Sequence, residues 1–145
     1  MNLPQLMEEW EKDSSIPVTS LTRCSAETPL LHAKYLRELI AAKSQRRKCE
    51  VELTNLFRDK KRYFNGELTR DELTELGWPQ YQGIKPLKSE IKEMIEMESD
   101  YINLETKLIS ADAKVTFLEN VIASINSRNW TIKNIIDWER FQNGE

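Results

Sequence analysis

Apolar side chains recur every three or four residues along most of this chain, which is the period of an amphipathic α-helix. The pattern predicts a short N-terminal helix over about residues 4–12, with a proline in its first turn. It also predicts a long second helix that starts within residues 19–28 and runs to about Phe64. Thr28-Pro29 is either the cap of this second helix or a second start, and Asn65-Gly66 ends it.

The long second helix has one predominantly apolar side. Positions spaced alternately by four and three residues form a heptad seam, which suits packing against another helix. Two basic residues interrupt this seam. Its nine positions are Tyr35, Leu39, Ala42, Arg46, Cys49, Leu53, Leu56, Lys60 and Tyr63.

Residues 65–86 are predicted to form a connector, in which Thr69–Glu72 is a capping box that opens a short helix ending at Gly77. A third helix is predicted over residues 87–127, which contain no proline or glycine. Its apolar positions are Leu87, Ile91, Met94, Ile95, Ile102, Leu108, Ile109, Val115, Leu118, Ile122 and Ile125. Because two long helices joined by a connector fold back on each other, we expect an all-α fold built on an antiparallel hairpin. We expect a single domain spanning residues 1–145.

A final helix is predicted within residues 128–145. Its apolar side chains cover more than half of the helical circumference and leave a narrow polar arc. One hairpin can bury about one side of such a helix, so we expect a second subunit to cover the other side. The predicted oligomerisation residues are Trp130, Ile132, Ile135, Ile136, Trp138 and Phe141.

Charge is distributed unevenly along the chain. Residues 34–62 contain ten basic and four acidic side chains and so have a net charge of +6, whereas the rest of the chain has −9. Five basic side chains of the long helix lie roughly opposite the heptad seam on a helical wheel. They are Lys43, Arg47, Arg58, Lys61 and Arg62. This pattern indicates a cationic face directed at an anionic partner.

The basic stretch ends in Lys60–Phe64, where cationic residues run into two aromatic residues. Phosphates interact with cations and unstacked bases stack on aromatic rings, so the run favours single-stranded nucleic acid. The predicted binding residues are Lys43, Arg46, Arg47, Lys48, Arg58, Lys60, Lys61, Arg62 and Tyr63. Two alternatives remain open. The chain could be a helical scaffold that binds an acidic protein partner. Alternatively, the basic face could exchange salt bridges with the acids of the third helix, which are Glu90, Glu93, Glu96, Glu98 and Asp100.

Catalytic chemistry has little support in this sequence. The single histidine, His32, has no histidine or cysteine at metal-ligand spacing, and no glycine-rich phosphate loop or nucleophile elbow occurs. Cys24 and Cys49 form neither a disulfide framework nor a metal motif, and we expect reduced, packed thiols. No signal peptide or membrane-spanning run is visible. We therefore expect an intracellular binding protein, not an enzyme, with no cofactor, metal or membrane partner.

Four stretches of the chain together resemble the UvsY-type recombination mediators of tailed phages. Leu3–Asp13 is similar to the amphipathic segment at the start of that family. His32–Leu36 resembles a family segment in which a small, a basic and an aromatic residue are followed by leucine. Phe57–Lys60 running into Tyr63–Gly66 resembles the DNA-binding motif, in which a basic pair precedes two aromatics and a glycine stop. Ser127–Asp137 resembles the C-terminal assembly segment.

The match also has two departures from the family pattern. Residues 68–83 are longer and more aromatic than the usual connector of the family. Asn129 stands where the family pattern has glycine, although asparagine also tolerates the left-handed conformation. Within the motif, Arg58 and Lys60 match the basic pair. Lys60 nevertheless falls on the apolar seam, whereas Arg58 lies on the opposite face.

The resemblance implies a ring-like homo-oligomer, a hexamer or heptamer, that is held together by C-terminal helices and binds single-stranded DNA. It further implies that the protein loads a RecA-like phage recombinase onto strands coated by the phage single-strand-binding protein. The implied setting is DNA recombination, repair and replication in the cytoplasm of the infected host cell.

Overall fold

The computed structural model describes all of residues 1–145 and contains six helices and no strand. The predicted all-α fold is confirmed, including the long second helix. The helices are α1 (Leu3–Asp13), α2 (Leu21–Phe64), α3 (Arg70–Leu76), α4 (Lys88–Glu96), α5 (Ser99–Asn126) and α6 (Arg128–Gln142).

Local sequence accounts for where the short helices begin and end. At the start of α1, the side chain of Asn2 accepts from the Gln5 amide while the Gln5 side chain accepts from the Asn2 amide. Thr69 and Glu72 form the predicted reciprocal capping box at α3. Gly77 ends α3 in the left-handed conformation, with φ of 73°, which costs a glycine little. These caps satisfy backbone groups that a helix end otherwise leaves unpaired.

Helix α2 runs through Thr28-Pro29 without a new start. Thr28 is therefore not a cap, and its hydroxyl donates to the carbonyl of Cys24 one turn earlier, at 3.1 Å. Glycines are the only residues of the chain with a positive φ. Asn129 lies within α6 and has a helical, not a left-handed, backbone conformation. Its side-chain oxygen lies 3.4 Å from the hydroxyls of Ser25 and Thr28, which ties the start of α6 to α2.

The predicted third helix is wrong in one respect, because it breaks at Met97 and Glu98 into α4 and α5. Ile95 and Tyr101 are both buried in the same cluster although they are six residues apart. On one continuous helix this spacing would turn Tyr101 about 120° away from Ile95. The break lets both side chains enter the core.

Three of the apolar positions assigned to the predicted third helix are not buried. Leu87, Ile102 and Ile109 are exposed. In contrast, all nine positions of the heptad seam on α2 are buried or half-buried, so the predicted seam is confirmed.

The chain divides into two compact units, and α2 and α5 each contribute to both. The first unit consists of Met1–Gln45 and Ala111–Glu145, and the second of Arg46–Ser110. The prediction of a single domain over residues 1–145 stays a prediction.

The core of the first unit is aliphatic and surrounds one buried tyrosine. The side chain of Tyr35 is completely buried and meets the ring of Trp10 edge-on, with 5.3 Å between the ring centroids. The other buried members of this core are Leu6, Leu39, Ala42, Val115, Leu118, Val121 and Ile125. Helices α1, α2 and α5 are thereby packed together.

A polar network closes one end of this core. The hydroxyl of Tyr35 donates to Asp13 at 2.9 Å, and the ammonium of Lys34 contacts Asp13 at 2.7 Å and Glu9 at 2.5 Å. Burial and the hydrogen bond to Asp13 raise the pKa of Tyr35. Burial lowers the pKa of Lys34, but the bonds to Asp13 and Glu9 outweigh it and the pKa is raised. The network fixes α1 on α2.

In the second unit, the end of α2 lies beside the beginning of α5. The rings of Phe57 and Tyr101 meet with 6.3 Å between centroids. The buried core consists of Phe64, Ile91, Ile95 and Tyr101. In the first unit the early part of α2 meets the end of α5, since Thr28 and Ile125 line one cleft. These contacts are those of an antiparallel pair, as the sequence predicts.

Replacing Tyr35 with phenylalanine should lower the free energy of unfolding by about 1–3 kcal/mol, because a buried hydrogen bond to a carboxylate is lost. Urea denaturation at pH 7 measures this change. Since the fold raises the pKa of Tyr35 above its ordinary value of 10.0, the contribution is constant below about pH 10 and disappears as the pH rises through the folded pKa.

Tyr101→Phe is the matched control for this prediction, because the hydroxyl of Tyr101 makes no hydrogen bond to protein. The control should unfold at nearly the parent urea concentration. If the two variants lose the same stability, the Tyr35–Asp13 bond does not stabilise the first unit.

Candidate nucleic-acid interface

Three exposed cationic side chains of the second unit share one face of α2. Arg47, Arg58 and Lys61 fall within about 60° of one another on a helical wheel. All three are exposed. The surface between Arg47 and Arg58 is filled by the neutral, exposed side chains of Val51 and Thr54. The nearest acid is Glu50, which contacts Arg47 at 3.2 Å, so this face is open to a polyanion mainly at Arg58 and Lys61.

Arg58 and Lys61 are the most accessible cations at the end of α2. The side chain of Arg58 is 65% exposed, and its only ion pair is a 3.5 Å contact with the neighbouring Asp59. Lys61 is exposed and has no ion pair. Exposed pairs such as Arg58–Asp59 contribute little free energy. Both cations can therefore bind a phosphate with little loss of free energy from interactions within the protein.

Lys60 is in a different environment from its neighbours. Its side chain is buried, with 7% of the residue exposed, as its place on the heptad seam implies. The ammonium lies 3.0 Å from a carboxylate oxygen of Asp100 and 4.4 Å from the centre of the Trp78 ring. A buried ammonium needs such partners, because burial removes its hydration. The assignment of Lys60 as a DNA ligand stays a prediction.

Arg62 is held by the connector. Its guanidinium donates two hydrogen bonds to Glu72 of α3, at 2.6 and 3.1 Å. The hydrogen bond from Arg62 lowers the pKa of Glu72, and the same bond raises the pKa of Arg62. The two-pronged geometry orients the guanidinium. A phosphate would have to compete with Glu72 for this cation.

Tyr63 belongs to an aromatic cluster formed with the connector. Its ring centroid lies 5.3 Å from that of Trp78, 5.5 Å from that of Tyr81 and 5.5 Å from that of Phe64, all with edge-on geometry. Its hydroxyl donates to the carbonyl of Pro79 at 2.8 Å. One side of the Tyr63 ring is thus committed to the connector, although the residue remains half-exposed.

The aromatic cluster depends on a close approach at Gly83. A Cβ atom on Gly83 would lie 2.4 Å from the hydroxyl oxygen of Tyr81. The Tyr81 hydroxyl also donates to the carbonyl of Ile84 at 2.8 Å. Glycine at this position therefore lets the connector fold tightly around Tyr81.

The four remaining basic residues proposed from sequence lie earlier on α2. Arg46 and Arg47 both contact Glu50, at 3.9 and 3.2 Å. Lys48 is exposed and belongs to the second unit, whereas Lys43 is exposed and belongs to the first. The structure thus brings Arg47, Arg58 and Lys61 to one face, while Lys60, Arg62 and Tyr63 face other parts of the second unit.

Comparisons with known proteins identify the family. Residues 9–145 match the family model described as "Recombination, repair and ssDNA binding protein UvsY". The chain belongs to the UvsY family. It is similar to the recombination protein uvsY of Enterobacteria phage T4, with 26% identity over 145 residues and complete coverage of both chains.

Solved structures of the phage T4 recombination mediator UvsY have the same fold. One crystal form is 25% identical, covers 99% of this chain and 98% of that chain, and gives a TM-score of 0.84. A second form is 25% identical, covers 95% and 98%, and gives 0.82. The resemblance drawn from sequence motifs to the UvsY family is therefore confirmed.

Within this UvsY-family fold, α6 buries only part of its apolar surface. Ile132 is buried, and Ile135 and Ile136 are half-buried. Three large aromatic side chains remain exposed: Trp130 at 64%, Trp138 at 57% and Phe141 at 72%. The rings of Trp138 and Phe141 stack on each other with 5.6 Å between centroids. This exposed aromatic surface is available to another molecule.

The start of α6 is anchored to the first unit by Arg128. This side chain is buried, and its guanidinium donates to the backbone carbonyls of Asp13 at 3.3 Å and Ser15 at 3.4 Å. Truncating the chain after Ser127 would remove this anchor as well as the exposed aromatics. Substitutions of the exposed aromatics are therefore a cleaner probe of assembly.

Sequence reasoning did not find the partners that restrain the cationic motif. Asp100 was recognisable only as one of several acids that could complement the basic helix. Glu72 and Trp78 gave no sequence signal for contact with Arg62 and Lys60, because the folding of the connector brings them together. The structure contains no cluster of three metal-ligating side chains and no helix long and apolar enough to cross a membrane.

Proposed function

We propose that this UvsY-family protein is a recombination mediator that binds single-stranded DNA mainly through Arg58 and Lys61. The observation that supports this most directly is the exposure of these two cations on one face of α2, where Lys61 has no ion pair and Arg58 has only a 3.5 Å contact with Asp59. Single strands are bound by cationic grooves together with aromatic groups, and no base-reading motif accompanies this face. The binding should therefore be nearly independent of sequence. Arg47, on the same face, would extend this contact, and the assignments of Lys43, Arg46 and Lys48 as DNA ligands stay predictions.

Assembly is the second part of the proposal. The exposed rings of Trp130, Trp138 and Phe141 would pack against other copies of the chain and form a ring, a hexamer or a heptamer. Large aromatic side chains are frequent anchors of protein interfaces. An oligomer multiplies a weak cationic contact by the number of its subunits, so modest contacts sum to tight binding.

The mediator role follows from strand wrapping. A strand wrapped around such an assembly would be strained in its complex with the phage single-strand-binding protein, and a RecA-like phage recombinase could then be loaded. This route needs neither ATP nor a catalytic centre, so the protein would act as a binding protein and not as an enzyme. It would work in the cytoplasm of the infected host, in recombination, repair and replication.

Arg58→Gln with Lys61→Gln should weaken binding to fluorescent oligo-dT. Each lost phosphate contact flattens the dependence of log affinity on log salt by about 0.7 for a single strand, so the slope should fall by about 1.4 per bound subunit. Fluorescence anisotropy at several salt concentrations measures both quantities.

Arg70→Gln with Lys107→Gln is the matched control, since it removes the same two charges at other exposed positions of the second unit. If control and test variants weaken binding equally, only net charge matters and the DNA path is not at Arg58 and Lys61.

Glu72→Gln should strengthen binding to oligo-dT, because it releases the guanidinium of Arg62 for a phosphate. Glutamine can still cap α3 through its side-chain oxygen, so the helix should persist. The salt dependence should steepen by about 0.7 per bound subunit. Glu75→Gln on the same helix is the control, since Glu75 is exposed and unpaired. Equal strengthening in both variants would argue against competition between Glu72 and DNA.

Trp138→Ser with Phe141→Ser should reduce the mass of the assembly in solution and leave the helix content unchanged. The two side chains bury little within their own unit, so their loss should affect association and not folding. Light scattering after size exclusion measures the mass. Ile84→Ser with Leu87→Ser is the control, since both residues are exposed in the connector. An unchanged mass for the α6 variant would contradict its role in assembly.

A further inference from the structure

A second cationic feature lies beside the end of α2, within the second unit. It is a cleft of about 350 Å³ between α2, the end of the connector and the beginning of α4. Four lysines and one acid line it, which gives a local charge of +3. The charged lining residues are Lys61, Lys85, Lys88, Lys92 and Glu67. The volume falls within the range of small-ligand sites.

The lysines of this cleft are largely free of internal partners. Lys61, Lys85 and Lys88 are exposed and make no ion pair, and Lys92 has only a 3.9 Å contact with Glu96. Salt bridges within the fold therefore do not explain why so many ammonium groups gather here. Like charges at this density repel one another, so an anionic ligand would stabilise the arrangement.

The beginning of α4 increases the positive potential of the cleft. The N-cap residue Leu87 provides no side-chain hydrogen bond, and lysines stand at positions 85 and 88, with Glu90 as the acid of the first turn. A helix N-terminus already has a partial positive charge, and acidic residues are normally favoured there. Two lysines at this end oppose helix stability and favour an anion.

Apolar groups form the other wall of the cleft. Phe57, Pro86 and Ile91 line it together with the lysines. Phe57 is half-buried and lies one helical turn before Lys61 on α2. Cations beside an aromatic ring match the phosphate and the base of a nucleotide. An acidic peptide would use the lysines but has no general need for the aromatic wall.

The cleft also shares a residue with the proposed interface on α2. Lys61 lies on the same face as Arg58 and at the edge of the cleft. A strand that passes over Arg58 and Lys61 can therefore continue toward Lys85 and Lys88 through a cleft in which lysines outnumber the single acid, Glu67.

We infer that the cleft formed by Phe57, Lys61, Lys85 and Lys88 is a nucleotide-binding subsite for single-stranded DNA, which extends the DNA path from α2 onto the start of α4. This inference rests on the proposed function. The lysines bind the phosphodiester backbone and Phe57 offers its ring to a base. The shared ligand chemistry is a nucleoside phosphate, and a strand is its source.

The test uses the full chain with Lys85→Gln and Lys88→Gln, titrated into fluorescent oligo-dT at several salt concentrations. Loss of two phosphate contacts should weaken binding and flatten the salt slope by about 1.4 per bound subunit. Lys12→Gln with Lys107→Gln is the control, since both lysines are exposed and unpaired away from the cleft. The control should keep the parent slope. Circular dichroism should give the same helix content for all three proteins.

A second measurement locates the strand directly. Oligonucleotides containing 5-iododeoxyuridine are cross-linked to the parent protein with ultraviolet light, and the modified peptides are identified by mass spectrometry. Cross-links to Phe57 or to residues 85–92 support the subsite. Cross-links confined to other parts of the chain overturn it, as does a Lys85 and Lys88 variant with the parent affinity and slope.

Two further results would assign the cleft to another ligand and overturn the inference. One is binding of dTTP that is lost in the Lys85 and Lys88 variant while oligo-dT binding is unchanged. The other is the same outcome with poly-glutamate as the probe. Failure here is distinct from failure of the proposed function, because Arg58 does not line the cleft and an Arg58→Gln variant reports on the α2 face alone. If the parent itself does not bind oligo-dT, the proposed function fails first.

Discussion

The structure depends on the burial of one side of α2. A helix of 44 residues gains most of its stability in water from the surface it packs, not from its backbone hydrogen bonds alone. The heptad seam supplies that surface in both compact units, first around Tyr35 and later beside Phe57. Because the seam faces inward, the opposite face must be polar. This constraint places Arg47, Arg58 and Lys61 in solvent.

The same constraint explains the unusual position of Lys60. A cation on a buried seam is costly unless a counter-charge meets it, and Asp100 provides the carboxylate at 3.0 Å. The ring of Trp78 covers the remaining side of the ammonium at 4.4 Å. The connector is thus part of the fold as well as a link between helices. The connector residue Trp78 shields the polar interruption of the seam.

The sequence predicted the features that local periodicity determines. The end of α2, the capping box at Thr69 and the nine buried or half-buried seam positions followed from spacing and cap chemistry alone, whereas the start of α2 was predicted only to lie within residues 19–28. The break between α4 and α5 did not, because no proline or glycine marks it and only the packing of Ile95 with Tyr101 requires it. The environments of Arg62 and Tyr63 also depended on contacts with Glu72 and Trp78, which are distant along the chain and have no local signal.

An acidic protein can bind DNA if its positive charge is local and its negative charge is distant. The whole chain has a net charge of −3, yet residues 34–62 have +6. At about 0.1 M salt, exposed charges more than about 10 Å apart are largely screened from each other. A strand at α2 therefore responds mainly to the nearby cations. Added salt also weakens each phosphate contact, because each released counterion gains less entropy when the bulk salt concentration is higher. A single subunit therefore offers only modest affinity.

Repetition of the same patch in an oligomer raises the effective concentration of binding sites along one strand. In the proposed mechanism, assembly through α6 and binding through α2 are consequently two requirements, because the patch of one subunit would bind a strand only weakly.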